Sequence, residues 1–70
     1  MHSESPMFLD IETNGLHPDT IWVAVTMQDG VVQEHYAPES LTSALAGSFK
    51  IVGHNLLGFD LPVLERIWNV

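Results

Sequence analysis

The chain has 70 residues, two of them basic and nine acidic, for a formal charge of −7. That length allows one small domain, or a piece of a larger one, whose core is marginal alone. With 46% apolar residues and no cysteine, the composition excludes disorder, disulfide scaffolds and thiolate metal sites; the acidic balance excludes a domain that grips nucleic acid chiefly through its own phosphate contacts.

Residues 1–6 read as a tail with neither the basic nor the apolar part of a signal peptide, and Met7 is an alternative start. Residues 7–70 are the domain. Residues 7–12 read as a short buried strand, ended by the punctuators Asn14-Gly15 and His17-Pro18. Residues 20–28 are the clearest strand, with Ile21, Val23, Val25 and Met27 alternating with Trp22, Ala24, Thr26 and Gln28. Asp29-Gly30 is a two-residue hairpin signal, and residues 31–37 return as its partner strand. Pro38, Glu39 and Ser40 open a helix with Leu41, Ala44 and Leu45 on one face and Gly47 placed to end it. Residues 49–53 read as a fourth strand and 54–59 as a loop. Asp60 is placed to cap a last helix with Pro62 in its first turn and an apolar stripe of Leu61, Leu64 and Trp68, widened by Val63 and Ile67.

The expected fold class is α/β in the order β-β-β-α-β-α: an antiparallel meander, then a crossover to a parallel strand beside the first one. One long sheet edge is left open, which invites pairing with another chain. The longest aliphatic-aromatic run, residues 21–25, is far short of a membrane span, so a soluble intracellular protein is expected, with no membrane partner.

Asp10 and Glu12 stand two apart on a strand, so their side chains leave the same sheet face. On a half-buried face two carboxylates repel unless a cation sits between them; at a strand end they are simply solvated. Asp60 follows a loop leaving the parallel strand. If that strand neighbours the first, Asp60 can approach Asp10 and Glu12, or it can do no more than cap its helix. Trp22 and Trp68 read as core. His2, His17 and His35 show no ligand spacing and read as surface residues, as Lys50 and Arg66 read as solvated charges.

Two stretches carry a resemblance. Asp-Ile-Glu-Thr-Asn-Gly-Leu at 10–16 resembles the first motif of the DEDD (DnaQ-like) 3′–5′ exonucleases, and His-Asn-x-x-x-Phe-Asp-x-Pro-x-Leu at 54–64 is similar to their second. The five-residue step from Asn55 to Asp60 is most like the proofreading domains of phage replicative DNA polymerases. The resemblance implies a ribonuclease-H-like partial fold. It also implies a pair of divalent cations, Mg²⁺ or Mn²⁺, with Asp10 bridging both, Glu12 on one and Asp60 on the other. All-oxygen ligation suits those metals, and the implied chemistry is two-metal phosphodiester hydrolysis at the 3′ end of single-stranded DNA.

By the same resemblance Thr13 contacts the terminal 3′ hydroxyl, Leu16 wedges against the terminal base, and Asn55 and Phe59 lie near the strand. His54 falls inside the second motif and is a candidate for orienting a ligand or substrate. The implied location is the cytoplasm of a phage-infected or bacterial cell. The pattern departs from the family in one respect. The fourth carboxylate, and the Tyr or His that precedes it on a later helix, have no counterpart here. An isolated chain is therefore expected to be inactive or incomplete unless a second chain supplies the third motif. The alternative is a non-catalytic oligomerisation or interaction module, such as a homo-oligomer, that retains the scaffold.

Overall fold

The computed structural model describes residues 5–48 and 50–70. It is an α/β unit whose single mixed sheet has the order β3-β2-β1-β4, with β1 Met7–Thr13, β2 Ile21–Gln28, β3 Val31–His35 and β4 Ile51–Val52. The meander β1-β2-β3 is antiparallel, and β4 runs parallel to β1 through Met7↔Ile51 and Phe8↔Val52. The element order and the place of the parallel strand match the sequence expectation. Among the described residues no helix is long and apolar enough to cross a membrane. Residues 1–4, most of the expected tail and with it His2, lie outside the described residues, as does Phe49, the expected start of the fourth strand. Ser5 is held, its carbonyl accepting from the Gln28 side chain at 2.9 Å.

The hairpin forms where expected because Asp29 and Gly30 both adopt positive φ, 54° and 78°. A turn of that hand twists with its strands. β3 stops at His35, two residues short of the expected end, because the chain bends at Tyr36 to enter helix α1, Pro38–Leu45. Proline at the first helical position is harmless there, since its missing N–H would have had no partner. Gly47 is not the expected left-handed terminator, since Gly15 and Gly30 are the glycines with positive φ. Helix α1 ends at Leu45, and Gly47 continues the turn by donating to the Ala44 carbonyl at 3.2 Å.

Residues 54–59 are not a plain loop. Asn55 accepts hydrogen bonds from the Phe59 and Asp60 amides at 2.9 and 3.2 Å, which closes a π-helical turn over Leu56–Asp60 that runs straight into α2, Leu61–Trp68. Asp60 therefore has helical backbone angles, φ −59° and ψ −52°, and its side chain makes no capping hydrogen bond. The cap expected from sequence is overturned: the chain is already helical one turn earlier, so no free amides wait at Asp60 for a capping oxygen. At its far end α2 stops on Asn69, left-handed at φ 56°, whose amide reaches the Glu65 carbonyl.

Both helices pack on one sheet face. Leu9 and Ile11 of β1, Ile21 and Ala24 of β2, Leu41 of α1, and Val63 and Leu64 of α2 form the core, with Trp68 and Phe59 packed half-buried against it. A register shift on β2 decides which residues face inward. Glu12 pairs with Val23 but Thr13 with Ile21, so Trp22 is the extra residue of a bulge. Ile21 then reaches the core, while Val23, Val25 and Met27, the β2 set with the higher hydropathy, lie on the opposite, open face. Trp22 is 60% exposed, which corrects its expected place in the core.

Two polar side chains are sealed under α1. His35, 3% exposed rather than a surface residue, is hydrogen-bonded through Nε2 to Thr26 Oγ1 at 2.8 Å and through Nδ1 to Ser40 Oγ at 2.7 Å. Its ring joins β2, β3 and α1. A buried imidazole with both nitrogens engaged is a satisfied structural group, and no spacing rule marks it in the sequence.

Candidate functional site

Strand alternation places Asp10 and Glu12 on the open face, exposed, with Leu9 and Ile11 turned into the core. Asp60 reaches the same region by a different route. β4 ends at Val52, and Gly53 passes so near β1 that a Cβ there would stand 2.9 Å from the Leu9 carbonyl oxygen and 2.6 Å from the Leu56 side chain. A residue with a side chain would hold the segment off. The close pass, followed at once by the π turn, brings Asp60 within electrostatic reach of Asp10.

Asp60 is 6% exposed. Burial, and after it the Asp10 carboxylate, push the Asp60 carboxyl above its ordinary value; its own backbone amide and His54 pull it partly back. The structure therefore brings together Asp10, Asp60 and, at lesser influence, His54. Glu12 lies farther along β1 and is not among the groups that set the Asp60 charge. Among the described residues no three His, Cys, Asp or Glu side chains lie close enough to hold a metal ion. The donor chemistry, all carboxylate oxygen, fits a hard divalent cation. The arrangement supplies a mutually repelling pair rather than a closed cluster of three.

The remaining expected site residues are spread around this pair. Thr13 closes β1, and its hydroxyl donates to the Gly15 carbonyl at 2.9 Å. Leu16 stands 86% exposed at the tip of the following loop. That loop is stiffened from within. The Asn14 amide donates to Asp19 Oδ1 at 2.6 Å, and Asn14 Oδ1 accepts from the Asp19 and Thr20 amides. The bond from Asn14, then that from Thr20, hold the Asp19 carboxyl below its ordinary value. Arg66 of α2 donates to the Pro18 carbonyl, so it is a strut for this loop rather than a freely solvated charge. Asn55 is exposed and its carbonyl builds the π turn, while Phe59 turns half-buried against the core.

On the open face an apolar groove of about 400 Å³ runs beside Asp10, lined by Phe8, Val25, Met27, Val52 and His54. Sequence reasoning did not single out the groove. The signal available was the strand alternation itself, once the Trp22 bulge had fixed which face is open.

No family model, curated protein or solved structure matches the chain.

Proposed function

We propose that these 70 residues carry the first two motifs of a 3′–5′ exonuclease-like domain of the DNA-proofreading type, on a ribonuclease-H-like sheet. The observation that supports this reading best is Asp60. It is buried, is not used as a helix cap, and is set against Asp10 of the other motif. A buried carboxyl raised by burial and by a neighbouring carboxylate is one that a bound divalent cation would relieve.

In this reading Asp10, Glu12 and Asp60 hold divalent cations, Mg²⁺ or Mn²⁺. Such ions, when bound, make hydroxide from water and stabilise the leaving 3′ oxygen of a phosphodiester. The protein's own part is to hold Asp10 on a rigid strand and Asp60 on a closed turn. Thr13 at the end of β1 and Leu16 on the braced loop beyond it take the 3′-terminal nucleotide of a single strand. Asn55 and Phe59 border the same path. A carboxylate from beyond the second motif completes the set.

Thermal melting against Mn²⁺ concentration tests the reading. A cation at about 100 times its Kd stabilises the fold by roughly 2.7 kcal/mol, which in a domain this small is a rise on the order of 10 °C or more. The rise should vanish in Asp10→Ala. No rise, or one that survives Asp10→Ala, removes the proposal.

A second reading, a non-catalytic interaction module that keeps the scaffold, is favoured by one observation. Phe8, Met27, Val31 and Val32 are all exposed, and three of them share the uncovered sheet face.

A further inference from the structure

The open face has an ordered chemistry that the strand register makes explicit. Residues directly opposite on neighbouring antiparallel strands project from the same side. Along the middle, β2 presents Val23, Val25 and Met27. Opposite them on β1 stand Glu12, Asp10 and Phe8, and on the other flank β3 sets Glu34 against Val25 and Val32 against Met27. The face is thus an apolar stripe. At the Met27 end it is widened by Phe8 and Val32, and by Val52 beyond Phe8; toward the Val23 end carboxylates border it on both sides.

We infer that this face is a docking surface for a cationic amphipathic helix of another protein segment, with an apolar stripe seated on β2 and Lys or Arg along both borders. Charge complementarity selects the occupant. Asp10, Glu12 and Glu34 border the stripe with no Lys or Arg between them and only His54 beside Asp10, in a chain of formal charge −7. A second copy laid face to face with its strands aligned would set acidic border against acidic border. The chain's Arg66 braces the Pro18 loop from the helix side, and Lys50, two residues before Val52 with its carbonyl on the Met7 amide, stands at the Phe8 corner of the face, away from the carboxylate end. Glu34 accepts from the Tyr36 hydroxyl at 2.5 Å but keeps its charge, and an acidic or neutral helix would bring no cation to either border. The groove beside Asp10, about 400 Å³, is large enough to take one bulky apolar side chain of the incoming helix. This inference does not rest on the nuclease reading.

The eight residues of β2 span roughly 26 Å, which about 18 helical residues cover. The probe is a synthetic peptide of about that length made of leucine and lysine, leucine at the i, i+3, i+4, i+7 spacing. Its control is a peptide of identical composition in scrambled order. Titration calorimetry on the full chain should show one-to-one binding of the amphipathic peptide, about tenfold or more tighter than its scramble, since charge is equal and only the stripe differs. Glu34→Lys, an exposed substitution outside the core, should weaken binding by about tenfold while leaving the melting temperature near that of the parent.

Amide chemical shifts should move at Phe8, Val25, Met27 and Val32. Equal affinity for the two peptides, no binding, indifference to Glu34→Lys, or shifts gathered on α1 and α2 would each overturn the inference. So would sedimentation showing that the free chain dimerises through this face. Mn²⁺ and the peptide would compete for Asp10 and Glu12, so the titration is run without metal; failure of peptide binding then leaves the Mn²⁺ melt standing, and the two ideas can fail separately.

Discussion

The two faces of the sheet are built from similar residues and end in opposite circumstances. Under the helices, Leu9, Ile11, Ile21 and Ala24 are buried with two polar side chains, Thr26 and His35, among them. On the other side Phe8, Val23, Val25, Met27 and Val32 remain partly or largely in contact with water. Hydropathy alone ranks the second set of β2 above the first. Burial here follows the place where α1 and α2 land and a one-residue bulge at Trp22. Apolar content of a strand therefore says that it has a face to cover, and the crossovers say which face is covered.

The comparison predicts unequal sensitivity. Leu64→Ala, fully buried between α2 and the sheet, should cost about 2–5 kcal/mol, enough to leave little folded protein in a urea titration. Val25→Ala on the open face should cost well under about 1.5 kcal/mol, and a loss at Val25 as large as at Leu64 would break the distinction between the faces. His35→Ala strips Thr26 and Ser40 of their shared partner and should cost about 1–3 kcal/mol, measured as the shift of the urea midpoint. A smaller effect would mean that water readily replaces the ring.

Asp60→Asn sharpens the comparison from the site that lies between the faces, and its sign depends on pH. The native state favours protonated Asp60, because its carboxyl is raised above the ordinary 3.8. The stabilisation from binding that proton is complete below the unfolded value and is lost as pH rises through the folded one. Asp60→Asn, which has no charge to acquire, should match the parent at the acid end. It should exceed it at neutral pH. Melting curves across pH check this, and a variant less stable at neutral pH would show that the charge is already compensated. Added Mn²⁺ should reverse the order of the two proteins if the carboxylate pair binds it. The smallest expected effect is Trp22→Ala, within about 0.5 kcal/mol, whereas Trp68→Ala, packed on the core, should cost several times more.

Much of the architecture was legible because its signals are local. Asp29-Gly30 demands a left-handed pair of residues, Pro38 and Pro62 mark first turns, and a helix between two strands forces a crossover that leaves β4 beside β1. Asp10 and Glu12 on one face followed from strand geometry alone, and the approach of Asp60 to Asp10, though not to Glu12, followed from the neighbour relation of β1 and β4.

What was not legible depends on distances that no residue type announces. The π turn exists because the Asn55 carbonyl takes two amides. Gly58 suits that turn, since a Cβ there would meet Asn55 Oδ1 at 2.5 Å. The bulge shifts β2 by one residue, and period-two reasoning carries that error along the strand. His35 is a core residue because two hydroxyls happen to flank it.

The bulge also gives the protein an optical asymmetry. Its two tryptophans sit in unlike surroundings, Trp22 largely in water opposite the Glu12 end of β1 and Trp68 against the core. Replacing Trp68 with phenylalanine would leave a single indole whose emission and accessibility to a soluble quencher report on that end of the strand. Anything that settles beside Glu12 and Thr13, whether a cation, a nucleotide or a helix, could then be followed by native fluorescence without a label.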